Sequence, residues 1–274
     1  MVQVVNPLEI RVNLLGENHE KTADAWNELG VSLYNLREYD IAIENYNKAL
    51  GILETTSKKE DIADIYNNLG LAYDKKQEFE TSQEYYNKAL SIFLELFGET
   101  HLKVSDTYLH LGNLYKNMEK YRDAIKFYNQ GLDIRKKLLD PMDPSLAKVE
   151  HMIALSYYSL EEYDEAKVHF ESSLEIRRKK FGEHHQDVGE SYHSIANTLK
   201  SKGEDHESIP YYLKAIYSYE NSMGLENVSV GDVYFELANS YFMEEEFTTA
   251  LNYYEKSLKL REMLLGEDHE DTVR

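Results

Sequence analysis

Apolar and small residues return along this chain in blocks spaced three and four residues apart. Between Ala23 and Leu53 one block holds Ala23, Trp26, Leu29, Gly30 and Leu33, and a second holds Ile41, Ala42, Tyr46, Ala49, Leu50 and Leu53. Such spacing marks the inner stripe of an amphipathic helix. The polar break between the blocks, Asn35-Leu36-Arg37-Glu38-Tyr39-Asp40, is short enough to join two antiparallel helices. The pattern then repeats. Gly30, Gly70, Gly112, Ala154, Ala196 and Ala238 follow at steps of 40, 42, 42, 42 and 42 residues, each preceded by Leu or Ile. Leu8, Leu50, Leu90, Leu132, Leu174, Ile216 and Leu258 keep the same beat. Self-similarity at one period over the whole length predicts an array of stacked helix pairs, not a globule with one active site.

The small columns have a geometric cause: Gly70 and Ala89 leave no bulk where two helix backbones approach, and Tyr66, Tyr73 and Tyr86 fill the space around them. Tyr66, Tyr108, Tyr192 and Tyr234 form one column and Tyr73, Tyr115, Tyr157 and Tyr241 another, so most of the tyrosine reads as core. Asp40, Asp123 and Asp164 open second helices, where a carboxylate favours the positive helix end. After the second helix comes a recurrent stop: Leu15-Gly16-Glu17-Asn18-His19, Phe97-Gly98-Glu99-Thr100-His101, Phe181-Gly182-Glu183-His184-His185 and Leu265-Gly266-Glu267-Asp268-His269. Its glycine predicts a left-handed helix cap, with the histidine in the linker. Asp140-Pro141-Met142-Asp143-Pro144 replaces that stop once. Pro210, inside a predicted second helix, implies that this helix starts late or bends.

Those columns resemble the tetratricopeptide repeat. Trp26-x2-Leu29-Gly30-x2-Leu33 followed by Ala42, Tyr46 and Ala49 carries the likeness, as does Tyr108-x2-Leu111-Gly112-x2-Tyr115 with Ala124, Tyr128 and Gly131. The 42-residue period with its Gly-Glu-x-His linker is similar to the extended variant of kinesin light chains and nephrocystin-3-like proteins, which also occurs in sensor arrays of signalling ATPases. The resemblance implies an all-α fold, a right-handed superhelical α-solenoid of antiparallel helix pairs. It places whole repeats at 23–62, 63–104, 105–146, 147–188, 189–230 and 231–269. Residues 1–22 read as the tail of a preceding repeat and its linker, and 270–274 as the start of another. Glu150 departs from the pattern, standing where other repeats have an aromatic.

Composition narrows the chemistry. The 274 residues hold 30 Lys+Arg against 50 Asp+Glu, a net charge of −20, which argues against nucleic acid and anionic membrane as partners. There is no cysteine, so thiolate chemistry, disulfides and cysteine zinc sites are excluded. Without an apolar run of about 18 residues or a charged-then-apolar leader, the reading is a cytoplasmic protein. Asn227-Val228-Ser229 fits the glycosylation pattern only by chance on that reading. Gly16-x4-Lys21-Thr22 lacks the second glycine of a phosphate loop, and His19-Glu20-Lys21-Thr22-Ala23 lacks the second histidine of a zinc-protease helix. The linker histidines lie about 84 residues apart, too regular for one metal site. No catalytic constellation and no cofactor site emerges.

What remains is binding. In the family, first helices line a concave groove in which a partner's peptide lies. Carried over, the exposed stripe of the first helices includes an amide set, Asn67, Asn68, Asn113, Asn197 and Asn239, which can both donate to and accept from a peptide backbone. It includes a basic set, Lys75, Lys116, Lys148 and Lys200, with His151, His193 and Tyr158 beside it. The expectation is a non-catalytic protein-interaction scaffold holding a peptide segment of a partner. The alternatives are a sensor or autoinhibitory arm of a multidomain signalling ATPase, and a rod that self-associates end to end.

Overall fold

The computed structural model describes residues 7–223, 227–266, 269 and 272. Among the described residues there are thirteen helices and no strand. The chain divides between Leu138 and Leu139 into two compact units. The first unit holds α1 (Pro7–Leu15), α2 (Glu20–Asn35), α3 (Tyr39–Leu53), α4 (Lys59–Lys75), α5 (Phe79–Phe97), α6 (Leu102–Asn117) and α7 (Tyr121–Leu138). The second holds α8 (Pro144–Ser159), α9 (Tyr163–Phe181), α10 (Gln186–Ser201), α11 (Asp205–Met223), α12 (Val228–Met243) and α13 (Phe247–Leu265). From α2 onward, each even-numbered helix packs antiparallel on the odd-numbered helix that follows, and within each unit every pair packs on the next. These are stacked helix pairs, as the 42-residue period predicts.

Packing explains the small-residue column. A methyl group on Gly112 would stand 2.4 Å from the ring of Tyr128, and one on Gly70 would stand 2.6 Å from Tyr86. Those rings are fully buried, so the first and second helices approach across a glycine against a tyrosine face. The core of the first unit collects Ala42, Tyr46, Leu53, Ile65 and Leu69, then Ala63, Phe93 and Val104 further along. The second unit buries Phe170, Tyr192, Tyr212, Tyr219, Val233 and Leu237 in one cluster.

Two details of the turns differ from expectation. The left-handed residue lies not at the linker glycine but at the turn inside each pair, on Arg37, Gln77, Glu119, Glu161, Gly203 and Glu245. There the amide of the following residue donates to a carbonyl five residues back, as Glu38 does to Leu33 and Lys120 to Tyr115, which closes the first helix with a Schellman turn. The linker glycines have positive φ but extended ψ: Gly98 at 72° and −174°, Gly182 at 80° and 175°. That region is open essentially to glycine alone, because a Cβ would collide with the backbone. Gly182→Ala should therefore cost about 1–3 kcal/mol although nothing lies within 4 Å of the added carbon. Glu119→Gly, at a left-handed turn position (φ 59°), should gain about 1 kcal/mol. Urea denaturation of the two variants checks both signs.

Pro210 is also a correction. It lies inside α11, which begins at Asp205 in the register of α9, so the helix does not start late. Proline loses one hydrogen bond, to the carbonyl of His206 near the helix start, where His206 itself is exposed to water.

Candidate functional site

The linker histidines prove to be helix caps. Nδ1 of His19, His101 and His185 accepts from the backbone N–H two residues on, at 3.1, 3.3 and 3.1 Å. Asp143 and Asn227 do the same at 2.8 Å, so the Asn227 side chain caps α12. His101 and His185 also stack on Phe97 and Phe181, with ring centroids 4.1 and 4.2 Å apart. The linker is thus a device for starting the next first helix. Among the described residues no group of three or more His, Cys, Asp or Glu is placed to hold a metal ion.

In the first unit the predicted site residues lie on α4 and α6 and are partly used to tie neighbouring first helices together. Asn68 donates to Asn27 Oδ1 at 2.9 Å, and Asn67 Nδ2 to Thr107 Oγ1 at 3.1 Å. Asn117 donates to both carboxylate oxygens of the buried Asp74 at 3.0 and 2.9 Å. Asn113 is half-buried, and its Oδ1 accepts from the Tyr128 hydroxyl at 2.8 Å. Lys75 is exposed and Lys116 half-buried, and neither has an ion pair among the described residues.

The second unit repeats this arrangement on α10 and α12. Asn197 Oδ1 accepts from Tyr212 at 2.7 Å, and Asn239 Oδ1 from Tyr254 at 2.6 Å. Burial raises the hydroxyls of Tyr128, Tyr212 and Tyr254 above their ordinary range, so each stays an O–H donor at physiological pH. Each amide oxygen therefore already accepts one hydrogen bond from a tyrosine, so the amide does not offer its two functions to a ligand equally, as the sequence suggested. Asn239 Nδ2 also makes a long contact to Glu236 at 3.4 Å. Tyr158 is half-buried and hydrogen-bonds across to Ser201 Oγ at 2.7 Å.

Three predicted residues are placed otherwise than on an exposed stripe. His151 is only 9 % exposed, edge-on to Phe170 at 4.9 Å between ring centroids, with Glu190 3.8 Å from its Nε2. Burial first, then the Arg177 charge, lowers its pKa to about 4. His193 packs beside Tyr212 at 6.0 Å, and burial lowers its pKa too. Both imidazoles sit inside helix pairs as neutral packing groups. Lys200 is engaged by Glu236 and is not an available cation.

Sequence reasoning missed the arginines. Arg135, Arg177 and Arg261 pair with Asp106, Glu190 and Asp232, the last two at 3.0 Å, and Arg11 lies 3.4 Å from Glu28. Lys103 neutralises Asp64 at 2.6 Å. The signal was there: these arginines follow the column leucines Leu8, Leu132, Leu174 and Leu258 by three residues. Most first-helix acids are thereby neutralised within the protein, whereas exposed Lys148 has no ion pair among the described residues.

Comparison with known proteins agrees with this architecture. Tetratricopeptide repeat profiles match residues 23–55, 61–137, 145–221 and 236–271, and the chain belongs to the tetratricopeptide repeat family. A search of curated proteins finds no match. BtubC (BKLC) from P. vanneervenii superposes with a TM-score of 0.70 at 16 % identity, over 84 % of this chain and 91 % of that one. A Podosopora anserina protein of nearly identical TPR-like repeats, described as a kinesin light chain, gives 0.66 at 17 % identity, over 77 % and 99 %. The signal transduction ATPase PH0952 from Pyrococcus horikoshii, with a tetratricopeptide repeat sensor, gives 0.70 at 16 % identity, over 97 % of this chain and 44 % of that one. At these identities the likeness concerns the fold.

Proposed function

We propose that this chain is a non-catalytic cytoplasmic scaffold that holds a segment of a partner protein against its first-helix faces. One observation carries the reading. On an acidic protein, most acids of these faces are matched internally by Arg11, Lys103, Arg135, Arg177 and Arg261 or held by Asn117, while Lys75, Lys116, Lys148 and the amide donors of Asn113 and Asn197 are not. Unspent donors and cations on an otherwise compensated surface suit a ligand rich in acceptors. The test is a peptide-display selection on this chain, run beside the double variant Asn113→Ala/Asn197→Ala. Motifs that bind the parent and fail on the variant support the reading. Motifs indifferent to the change move the site to the second helices or the loops, and the absence of enriched motifs counts against peptide binding altogether.

End-to-end self-association has its own support. In the leucine column, Leu50, Leu132, Leu174 and Ile216 are 8, 2, 7 and 7 % exposed, whereas Leu258 on α13 is 44 % exposed and Leu251 beside it 59 %. An apolar helix face of this kind suits a second copy. Sedimentation over a concentration series should show association that Leu251→Glu/Leu258→Glu abolishes. A monomer at all concentrations removes this reading.

A further inference from the structure

Each asparagine of the central column is opposed, 15 residues on, by a second-helix hydroxyl that fixes which end of its amide faces outward. The three pairs, Tyr128–Asn113, Tyr212–Asn197 and Tyr254–Asn239, share one polarity: the phenol donates and the amide oxygen accepts. The tyrosine column is wider than the asparagine column: Val31 and Leu71 stand 15 residues before Tyr46 and Tyr86, and Leu155 stands 15 before Phe170. In the three pairs each amide therefore turns Nδ2 away from the tyrosine, while its oxygen is already shared with a phenol. A β-strand ligand presents N–H and C=O alternately along each edge and needs acceptors as readily available as donors. A polyproline II segment does not: its carbonyls are solvated, and at proline it has no N–H.

Spacing points the same way. First helices α10 and α12 touch, and packed helices lie about 8–10 Å apart. Polyproline II returns a carbonyl to the same side every turn of three residues, about 9.3 Å, whereas a strand does so every second residue, about 6.6 Å. Leu155, Phe242 and Met243, which are 39, 51 and 64 % exposed on α8 and α12, supply apolar surface for proline rings. We propose that the partner segment adopts polyproline II conformation and is held through its main-chain carbonyls by Nδ2 of Asn197 and Asn239. Tyr212 and Tyr254 are the positioning residues. This rests on the peptide-binding reading and names the chemistry of its ligand.

Two display libraries of dodecapeptides test it, one fully random and one with proline at every third position. Enriched sequences are then measured as acetylated, amidated peptides. The proline-spaced library should yield binders. Asn197→Asp/Asn239→Asp, which replaces donors by acceptors, should weaken them about tenfold or more. Tyr212→Phe/Tyr254→Phe should weaken them several-fold while leaving the denaturation midpoint near the parent's, since Phe170 already fills the equivalent place. On the Asn197→Asp/Asn239→Asp background the same tyrosine changes should cause no further loss, because no amide is left to orient, whereas a purely structural loss would persist there. Binders from the random library alone, indifferent to both double variants, would leave peptide binding standing and overturn the carbonyl reading. Loss of binding when the peptide's acidic side chains are amidated would also overturn it, in favour of side-chain carboxylates. Failure of both libraries would remove the binding reading and this proposal with it.

Discussion

Lowering the pH from 7 to 4 should strip about 3 kcal/mol from the stability of this protein through His151 alone. In the folded chain the imidazole titrates at about 4; in the unfolded chain it returns to 6.5. Above pH 6.5 both states are neutral and the full stability is present. Between pH 6.5 and 4 the unfolded chain binds a proton that the folded chain refuses, at about 1.4 kcal/mol per pH unit. The refusal has a physical source, since His151 is 9 % exposed against Phe170 and near the Arg177 charge, with Asp187 opposing only weakly. His193 acts in the same direction. His151→Leu, which installs the residue type of Leu109 at the matching place in the third repeat, should be close to neutral at pH 7 and lose about 3 kcal/mol less by pH 4. Urea midpoints of parent and variant at both values decide it. Parallel pH dependences would show that the buried imidazole does not set acid sensitivity.

Glu150 and His169 give the second large effect. In the second, fifth and sixth repeats two tyrosines meet at these places, Tyr66–Tyr85, Tyr192–Tyr211 and Tyr234–Tyr253, with centroids 5.8, 6.3 and 5.9 Å apart. A lysine covers each pair: Lys88, Lys214 and Lys256. The fourth repeat instead places a carboxylate 5 % exposed against an imidazole 2.7 Å away, with Tyr157 stacked on the ring at 5.4 Å. Removing the imidazole takes one hydrogen-bond partner from a buried carboxylate, so His169→Ala should lose about 1–3 kcal/mol. Replacing both partners removes the desolvation penalty. Glu150→Tyr/His169→Tyr, which copies the neighbouring repeats, should equal the parent or exceed it by about 1–4 kcal/mol. Thermal and urea unfolding of the variants check the order. A double variant less stable than His169→Ala would contradict it.

Much of this was legible in the sequence because the period is physical. Gly30, Gly70 and Gly112 announce the helix contacts they make, but the tyrosine columns of Tyr66 and Tyr73, Tyr192 apart, are half-buried flanks of the core, and the fully buried rings are those of Tyr46, Tyr86, Tyr128 and Tyr212. The cap histidines were less clear, since imidazole is an unusual helix cap. Their column, His101, Asp143, His185, Asn227, nonetheless runs in steps of 42 and contains the ordinary caps Asp and Asn. The site was legible only as positions. Which end of Asn197 faces outward depends on a hydroxyl 15 residues away on another helix, and whether Lys200 is available depends on Glu236 in the next repeat. Burial of His151 likewise follows from how closely α8 and α9 pack. Such facts lie between helices, where periodicity along one helix is silent.

The most direct test of the account locates the ligand. A nitroxide-labelled copy of the best enriched peptide can be bound to the chain and read by broadening of side-chain amide NMR signals. The account predicts broadening at Asn113, Asn197 or Asn239 on first helices, with the exposed second-helix residues Asn47, Asn87 and Asn252 unaffected. Broadening confined to Asn47, Asn87 and Asn252 would place the partner on the opposite helices and contradict it.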